Sequence, residues 1–288
     1  SKAIRGGVPL VFPQFGQPNK DMPQHGFLRN NVWKVGKVFD EMEEAGCNFT
    51  LALKDVVNGR GSSSSCLWSK EKETEMGIDC TVTLRVRVAK DQLKCDLIIR
   101  NTGSSCFPCQ ALFHTYFKIA GRKALDKKVC HVKGLGGYSV EDKITGESYI
   151  QSESEVVHVD REVDRIYCPP TTITQKECDS DVIVNGVSSS SLKVQICTGT
   201  DGSKVDLKAN AMIMLDDDDD NETKKEPLPV SVVVWNPYVD KAKAMSDFGD
   251  DQYHDMICVE PLLTHNPTIQ AQQQIMFSQI LTSNYGDY

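Results

Sequence analysis

The chain has 288 residues, 40% hydrophobic and 25% charged, enough to bury a full core as one large domain or two small ones. Its formal net charge of −8 argues against nucleic acid as a partner, which calls for a basic patch or stripe. No stretch approaches the ~18 consecutive apolar residues of a membrane span, so no membrane partner is expected.

The first element is a segment dense in Gly, Pro, Arg, Gln and His around a short apolar run, Ala3 to Gly16 and then Pro23 to Asn30. Glycine and proline fix backbone shape, while Arg, Gln and His supply directed donors, so the segment reads as the wall of a binding site. Arg5 and Arg29 within it suggest an anionic group on the ligand, since the planar guanidinium suits phosphate or carboxylate. Next come strand-like runs. Asn48–Leu53 is one, and Cys80 to Val88 alternates strictly, with Val82, Leu84, Val86 and Val88 on one side. Lys90-Asp91-Gln92 turns, and Leu93, Cys95, Leu97 and Ile99 repeat the pattern, predicting a hairpin with one wet face. Gln110–Ile119 predicts a strand that displays Gln110, Leu112, His114, Tyr116 and Lys118 together. Further strands are predicted at Val129–Val132, Glu155–Val159, Lys204–Leu207, Val230–Trp235 and Met256–Val259, the last closing on Glu260 before Pro261. Amphipathic helical patterns are scarce, so an all-β sandwich in one domain over residues 1–288 is expected.

Gly59–Ser65, Ser188–Ser191 and the acidic run Asp216–Asp220 read as surface loops; the aspartates lack the spaced pattern of a calcium loop. Eleven cysteines follow no framework spacing. The pair Cys106 and Cys109 lacks the second ligand pair of a zinc site, so reduced, buried thiols and a cytoplasmic setting are expected. Two side chains could carry acid–base chemistry: His114, displayed among polar neighbours, and Glu260, a carboxylate on an apolar strand.

Six motifs then converge in order. Arg5-Gly-Gly-Val-Pro with Phe12-Pro and Phe15-Gly, Gln24-His-Gly-Phe with Arg29-Asn, His114-Thr-Tyr-Phe, Asp164-Arg-Ile-Tyr, Trp235-Asn-Pro through Asp247-Phe and Tyr253, and Cys258-Val-Glu260 together resemble the glucose-6-phosphate 1-epimerases of the aldose 1-epimerase superfamily, plant-type in wording. The resemblance implies a galactose-mutarotase-like β-supersandwich. It also implies a D-glucose 6-phosphate or related hexose 6-phosphate substrate, with His114 as general acid and Glu260 as general base. It places sugar-phosphate contacts on Arg5, Gln24, Arg29 and Asp164. Family members carry further N-terminal strands before the Arg-Gly-Gly segment, and their lack would expose a sheet edge.

Anomer exchange takes a proton from the C1 hydroxyl and delivers one to the ring oxygen, so one acid and one base suffice, with no cofactor and no metal. The two groups are expected on opposing flanks of the sugar, with Glu260 ionised and His114 protonated, which requires the site to raise the histidine's pKa. Phe27, Tyr116 and Trp235 are candidate sugar platforms. The chain is expected to act as a monomer on this small molecule. An aldose 1-epimerase of unphosphorylated sugar and a non-catalytic sugar-phosphate-binding module are the alternatives.

Overall fold

The computed structural model describes residues 4–58, 77–170, 191–215, 224–263 and 266–284. The runs Gly59–Ser65 and Asp216–Asp220, and Ser188 to Ser190, lie outside them. Among the described residues, one sheet has eight strands. It runs Leu10–Val11, Ala111–Phe113, Met256–Leu263, Ser231–Asn236, Val163–Cys168, Ser139–Asp142 and Ser148–Ile150, with Tyr116–Lys118 also pairing Met256–Leu263. The second has nine. Its order is Lys34–Asp40, Ala45–Ala52, Cys80–Val88, Gln92–Asn101, Gln274–Asn284, Lys204–Leu215, Ser191–Cys197 and His131–Lys133, with Lys224–Leu228 paired to Lys204–Leu215. All strand pairs in both sheets are antiparallel.

The sheets pack face to face over one apolar cluster that takes Phe113, Val232, Val234, Ile257 and Val259 from the first and Leu97, Ile99, Leu207, Ile275 and Phe277 from the second. Phe113 and Phe277 meet at 4.8 Å between ring centroids. Each fully buried side chain of this kind contributes about 1.5–3 kcal/mol. A second cluster covers the opposite face of the eight-stranded sheet: Leu112, Val233, Trp235, Cys258 and Leu262 pack on Ala242, Phe248 and Tyr253. Burial on both faces explains why Ser231–Asn236 and Met256–Leu263 are apolar without alternation. Asn236, fully buried, holds the covering segment: its Nδ2 donates to the carbonyls of Tyr253 (2.9 Å) and Met256 (2.8 Å), and its Oδ1 accepts from Tyr238 N–H (2.9 Å).

The hairpin forms as its alternation predicts, Val88 pairing with Leu93. Its wet face is drier than expected, because Asp96 is 5% exposed beneath Arg87 (2.7 Å) and the Ser278 hydroxyl (2.8 Å). Glu155–Val159 forms no strand and makes only a bridge from Val157 to Val132. Among the described residues the strand Lys34–Asp40 is the edge of its sheet, with Val35 and Val38 each 68% exposed.

Two differences matter for the site. The predicted strand Gln110–Ile119 is interrupted, its halves being Ala111–Phe113 and Tyr116–Lys118. At the interruption Thr115 N–H turns back to the Phe113 carbonyl (2.8 Å), and the Thr115 hydroxyl donates to Gln279 Oε1 (2.7 Å). The strand carrying Glu260 does not end there but runs through Pro261 to Leu263. Val259 N–H reaches the Thr115 carbonyl across the interruption (3.1 Å). Two residues on, Pro261 lies on that same side, where the broken partner leaves room for a residue that cannot donate.

Candidate active site

Register lays out the polar face of the eight-stranded sheet. One row crosses four strands: Asp164 stands opposite Trp235, Trp235 opposite Cys258, and Cys258 opposite Tyr116. The next row holds Ile166, Val233 and Glu260. The pairs Cys258 with Tyr116 and Leu262 with Leu112 keep one register on either side of the interruption, which sets His114 opposite Glu260. Side chains directly opposite on one face have Cβ atoms about 4.5–5.5 Å apart. His114 Nδ1 lies 3.2 Å from Glu260 Oε1. The expectation of opposing flanks is therefore corrected: acid and base are cross-strand neighbours.

The His114 ring stacks on Tyr116 at 4.9 Å and meets the edges of His25 (5.9 Å) and Trp235 (6.0 Å). His114 is 8% exposed and Glu260 1%. The His114 Nδ1 and Glu260 Oε2 atoms have no hydrogen-bond partner, so the 3.2 Å approach lacks hydrogen-bond alignment. Burial, then His25, Arg29 and Arg5, push the His114 imidazole down to about 3. Burial, then Asp164, pushes the Glu260 carboxyl well above its ordinary range. Both shifts run against the expected starting state, imidazolium beside carboxylate, and favour the neutral form of each group. Desolvation disfavours both charges, and the two guanidiniums add to it at the histidine.

Two cavities with shared walls meet at His114, and Glu260 lines the larger. The larger, about 770 Å³, is lined by Arg5, Gln24, His25, His114, Asp164, Trp235, Lys241 and Glu260 among others. The smaller, about 290 Å³, holds Arg29, Tyr116 and Asp247 and shares Arg5, Gln24, His25 and His114 with the larger. All six residues singled out from sequence therefore border the two cavities: five line the larger one, and Arg29 lies in its side chamber. Of the aromatic candidates, Trp235 and Tyr116 line the cavities. Phe27 does not; it packs edge-on against Phe12 at 5.6 Å in the core, 2% exposed.

The Pro/Gly-rich wall is built from its own side chains. Gln14, 4% exposed, donates to the carbonyls of Asn19 (3.3 Å) and Pro23 (3.1 Å) and accepts from Asn19 N–H (3.1 Å). Gln110, expected on the catalytic face, lines the larger cavity there and also accepts from Phe15 N–H (2.8 Å). His25 and Gly16 exchange two bonds, Gly16 N–H to His25 Nδ1 (3.2 Å) and His25 N–H to the Gly16 carbonyl (2.8 Å). Gly26, at φ +72°, passes so close to Phe12 that a Cβ would sit 1.8 Å from its carbonyl oxygen. Gly26→Ala is expected to cost about 3 kcal/mol or more in unfolding free energy, read by denaturant titration, because both conformation and space forbid it.

The arginines are held differently. Arg5 Nε lies 3.1 Å from Asp247 Oδ1. Burial opposes the Arg5 charge, but Asp247 and Tyr116 outweigh it and raise the pKa. Arg29 donates from Nη2 to the Gln24 carbonyl (2.9 Å), while its Nε has no partner. Burial and Arg5 lower its pKa. Burial raises Asp164, offset in part by Lys241, which pairs with Glu162 at 2.9 Å.

Sequence reasoning missed His25 and Asp247, although both sit inside quoted motifs. His25 accepts from Gly16 through Nδ1, which leaves its other nitrogen as the proton bearer, and its φ of 64° marks a backbone bent for position. Burial, then Arg29 and Arg5, lower it to about 4. The depressed values of His25 and His114 carry a stability consequence. Below the ordinary 6.5, the unfolded chain binds protons that the folded chain refuses, so stability falls as pH drops from 6.5 towards 4 and 3. Replacing both by Gln is expected to flatten the fall in melting temperature between about pH 6.5 and pH 4. An unchanged slope would show that other groups control acid unfolding.

Comparison with known proteins agrees with this architecture. The family model "Aldose 1-epimerase" matches residues 1–282, and the chain belongs to that family. A protein of Cenchrus ciliaris named "Putative glucose-6-phosphate 1-epimerase" is 28% identical over 276 residues, covering 92% of this chain and 66% of the relative. An Escherichia coli (strain K12) protein of the same name is 24% identical over 259 residues, covering 90% and 67%. The chain thus spans about two-thirds of the length of these relatives. Among solved structures, one titled a "putative mutarotase" from Salmonella typhimurium superposes with a TM-score of 0.63 at 20% identity, over 98% of this chain and 76% of that one. A "galactose mutarotase-like protein" from Clostridium acetobutylicum gives 0.58 at 14%, over 98% and 80%. The fold is galactose-mutarotase-like. Among the described residues no helix is long and apolar enough to cross a membrane.

Proposed function

We propose that the chain is a mutarotase that interconverts the α and β anomers of a hexose 6-phosphate, D-glucose 6-phosphate first. The observation carrying this reading is the buried cross-strand pair His114 and Glu260, 3.2 Å apart beside two arginines. The anomeric hydroxyl and the ring oxygen are bonded to the same carbon. An acid and a base that are themselves neighbours can therefore reach both.

The pair holds one proton. A phosphate seated between Arg5 and Arg29 offsets the positive field that disfavours imidazolium, and the shared proton moves from Glu260 towards His114. Glu260 then takes the C1 hydroxyl proton while His114 protonates the ring oxygen, and the C1–O5 bond opens. The C1–C2 bond rotates, and reclosure on the other face returns both protons by the same groups with roles exchanged. Gln24 and Asp164 hold sugar hydroxyls, and Trp235 gives the ring an apolar wall.

The names of the relatives supply the 6-phosphate, and the arginines supply a chemical reason for it. Exchange spectroscopy by NMR on equilibrated glucose 6-phosphate and glucose is the test. Acceleration of the phosphorylated sugar well above free glucose supports the reading; equal acceleration makes the chain an aldose 1-epimerase, and binding without acceleration makes it a sugar-phosphate-binding module.

A further inference from the structure

We propose that His114, Cys258 and Glu260 form a latent site for a borderline-soft divalent cation, Zn²⁺ foremost, whose occupation blocks the acid–base pair. One ring nitrogen, the thiol sulfur and a carboxylate oxygen of these residues lie within 4.8 Å of one another, and all three residues are buried. Strand geometry produces the cluster: Cys258 and Glu260 share one face at a spacing of two, and His114 faces Glu260 across the interrupted strand.

Two buried polar atoms of these residues have no hydrogen-bond partner, His114 Nδ1 and Glu260 Oε2. Their residues are 8% and 1% exposed, and buried groups left this way are a natural demand for a ligand. Cys258 has no part in the proposed proton transfers. Imidazole, thiolate and carboxylate together suit Zn²⁺ or Co²⁺ rather than Mg²⁺ or Ca²⁺, which prefer oxygen throughout. Three protein ligands leave a fourth position, and His114 and Glu260 both line the larger cavity from which water could fill it. A supporting contact is also present, a hydrogen bond from the Tyr116 side chain to Cys258 that favours thiolate.

Arg5 and Arg29 would repel a cation arriving alone. The exchange, however, is charge-neutral. Zn²⁺ enters as the Cys258 thiol and the Glu260 carboxyl each lose a proton to solvent, so the arginines face the same net charge before and after.

The inhibition arm rests on the proposed mutarotase activity; the spectroscopic arm does not. Co²⁺ titrated into the chain is expected to give a sulfur-to-metal charge-transfer band in the near ultraviolet, saturating at one equivalent, which Cys258→Ala removes. Cys106 and the other free thiols serve as the internal background, since the variant retains them. Zn²⁺ is expected to inhibit anomer exchange competitively with the sugar, with reversal by chelator and no effect of Mg²⁺. In Cys258→Ala the half-inhibitory Zn²⁺ concentration, read against that variant's own metal-free rate, should rise about tenfold or more. Cys258→Ser, which keeps size and hydrogen bonding, covers the case in which the alanine variant unfolds. A band that persists in both variants, or none in the parent chain, overturns the site; a band present in a chain without activity leaves the site standing and sinks the mutarotase reading instead.

Discussion

Glu260→Gln is expected to abolish most anomer exchange while leaving a folded chain, with His114→Ala close behind. Each positioned proton-transfer group supplies about 10²–10⁴-fold, and either loss strands the other partner. Because the two act as one unit, the double variant should be barely slower than the worse single one. The glutamine variant carries a second signature. The raised pKa of Glu260 means that, above the ordinary 4.5, the unfolded chain releases a proton that the folded chain keeps. Stability is therefore lost as pH rises from 4.5, and Gln, which cannot ionise, removes that loss. Glu260→Gln should accordingly melt higher than the parent above about pH 6 while being inactive, an exchange of stability for chemistry at a buried carboxyl. A variant that retains near-parental rates, or that simply unfolds, would remove Glu260 from the mechanism as argued. The pH–rate profile gives an independent view. Activity needs one proton on the pair, so no acid limb should appear at the ordinary histidine value of 6.5; it should lie far lower, since the ligand-free imidazole sits near 3.

Strict alternation over Cys80–Val88 and Leu93–Ile99 made the hairpin readable, because Val82, Cys95, Leu97 and Ile99 pack into the core, although the alternation does not mark where burial stops: Val88 is exposed and Asp96 on the other face is buried. Val230–Trp235 was readable as buried for the opposite reason, having no alternation to lose. What could not be read was the relation between distant strands. His114 and Glu260 are separated by about half of the chain, and only the shared register of Leu112 with Leu262 and Tyr116 with Cys258 makes them neighbours. Nothing local to either residue encodes that alignment. The direction of the histidine's shift was hidden for another reason: its largest cause is burial, with His25, Arg29 and Arg5 adding to it, and burial beside a strand interruption leaves no mark in the local spacing. Gln110 was legible by the same period-two spacing, and it lines the larger cavity with His114; its second task, accepting from Phe15 N–H, leaves no periodic trace.

Arg29→Ala is expected to weaken kcat/KM for glucose 6-phosphate by roughly ten- to a hundredfold, matching the about 1.5–3 kcal/mol of a charge-assisted hydrogen bond, while glucose changes little. Arg29 is the better probe of a phosphate because less of its charge is already answered. Its only direct partner described is a carbonyl, that of Gln24, whereas Arg5 faces the Asp247 carboxylate at 3.1 Å and lies beside Tyr116. Arg5→Ala should therefore behave differently. It removes part of the phosphate's partner set, but it also breaks the ion pair with Asp247 and loosens Tyr116, on which His114 stacks at 4.9 Å. Losses for both sugars are expected from Arg5→Ala, larger for the phosphorylated one, and a selective loss from Arg29→Ala. The ratio of the two substrates' kcat/KM, measured by coupled or NMR exchange assay in each variant, separates the roles. Ionic strength sharpens it: the selective component comes from charge, so raising salt should shrink the Arg29 effect on glucose 6-phosphate and leave glucose unaffected. If Arg29→Ala instead slows both sugars in equal proportion, the smaller cavity is no phosphate chamber, and the chain's preference reverts to unphosphorylated hexose.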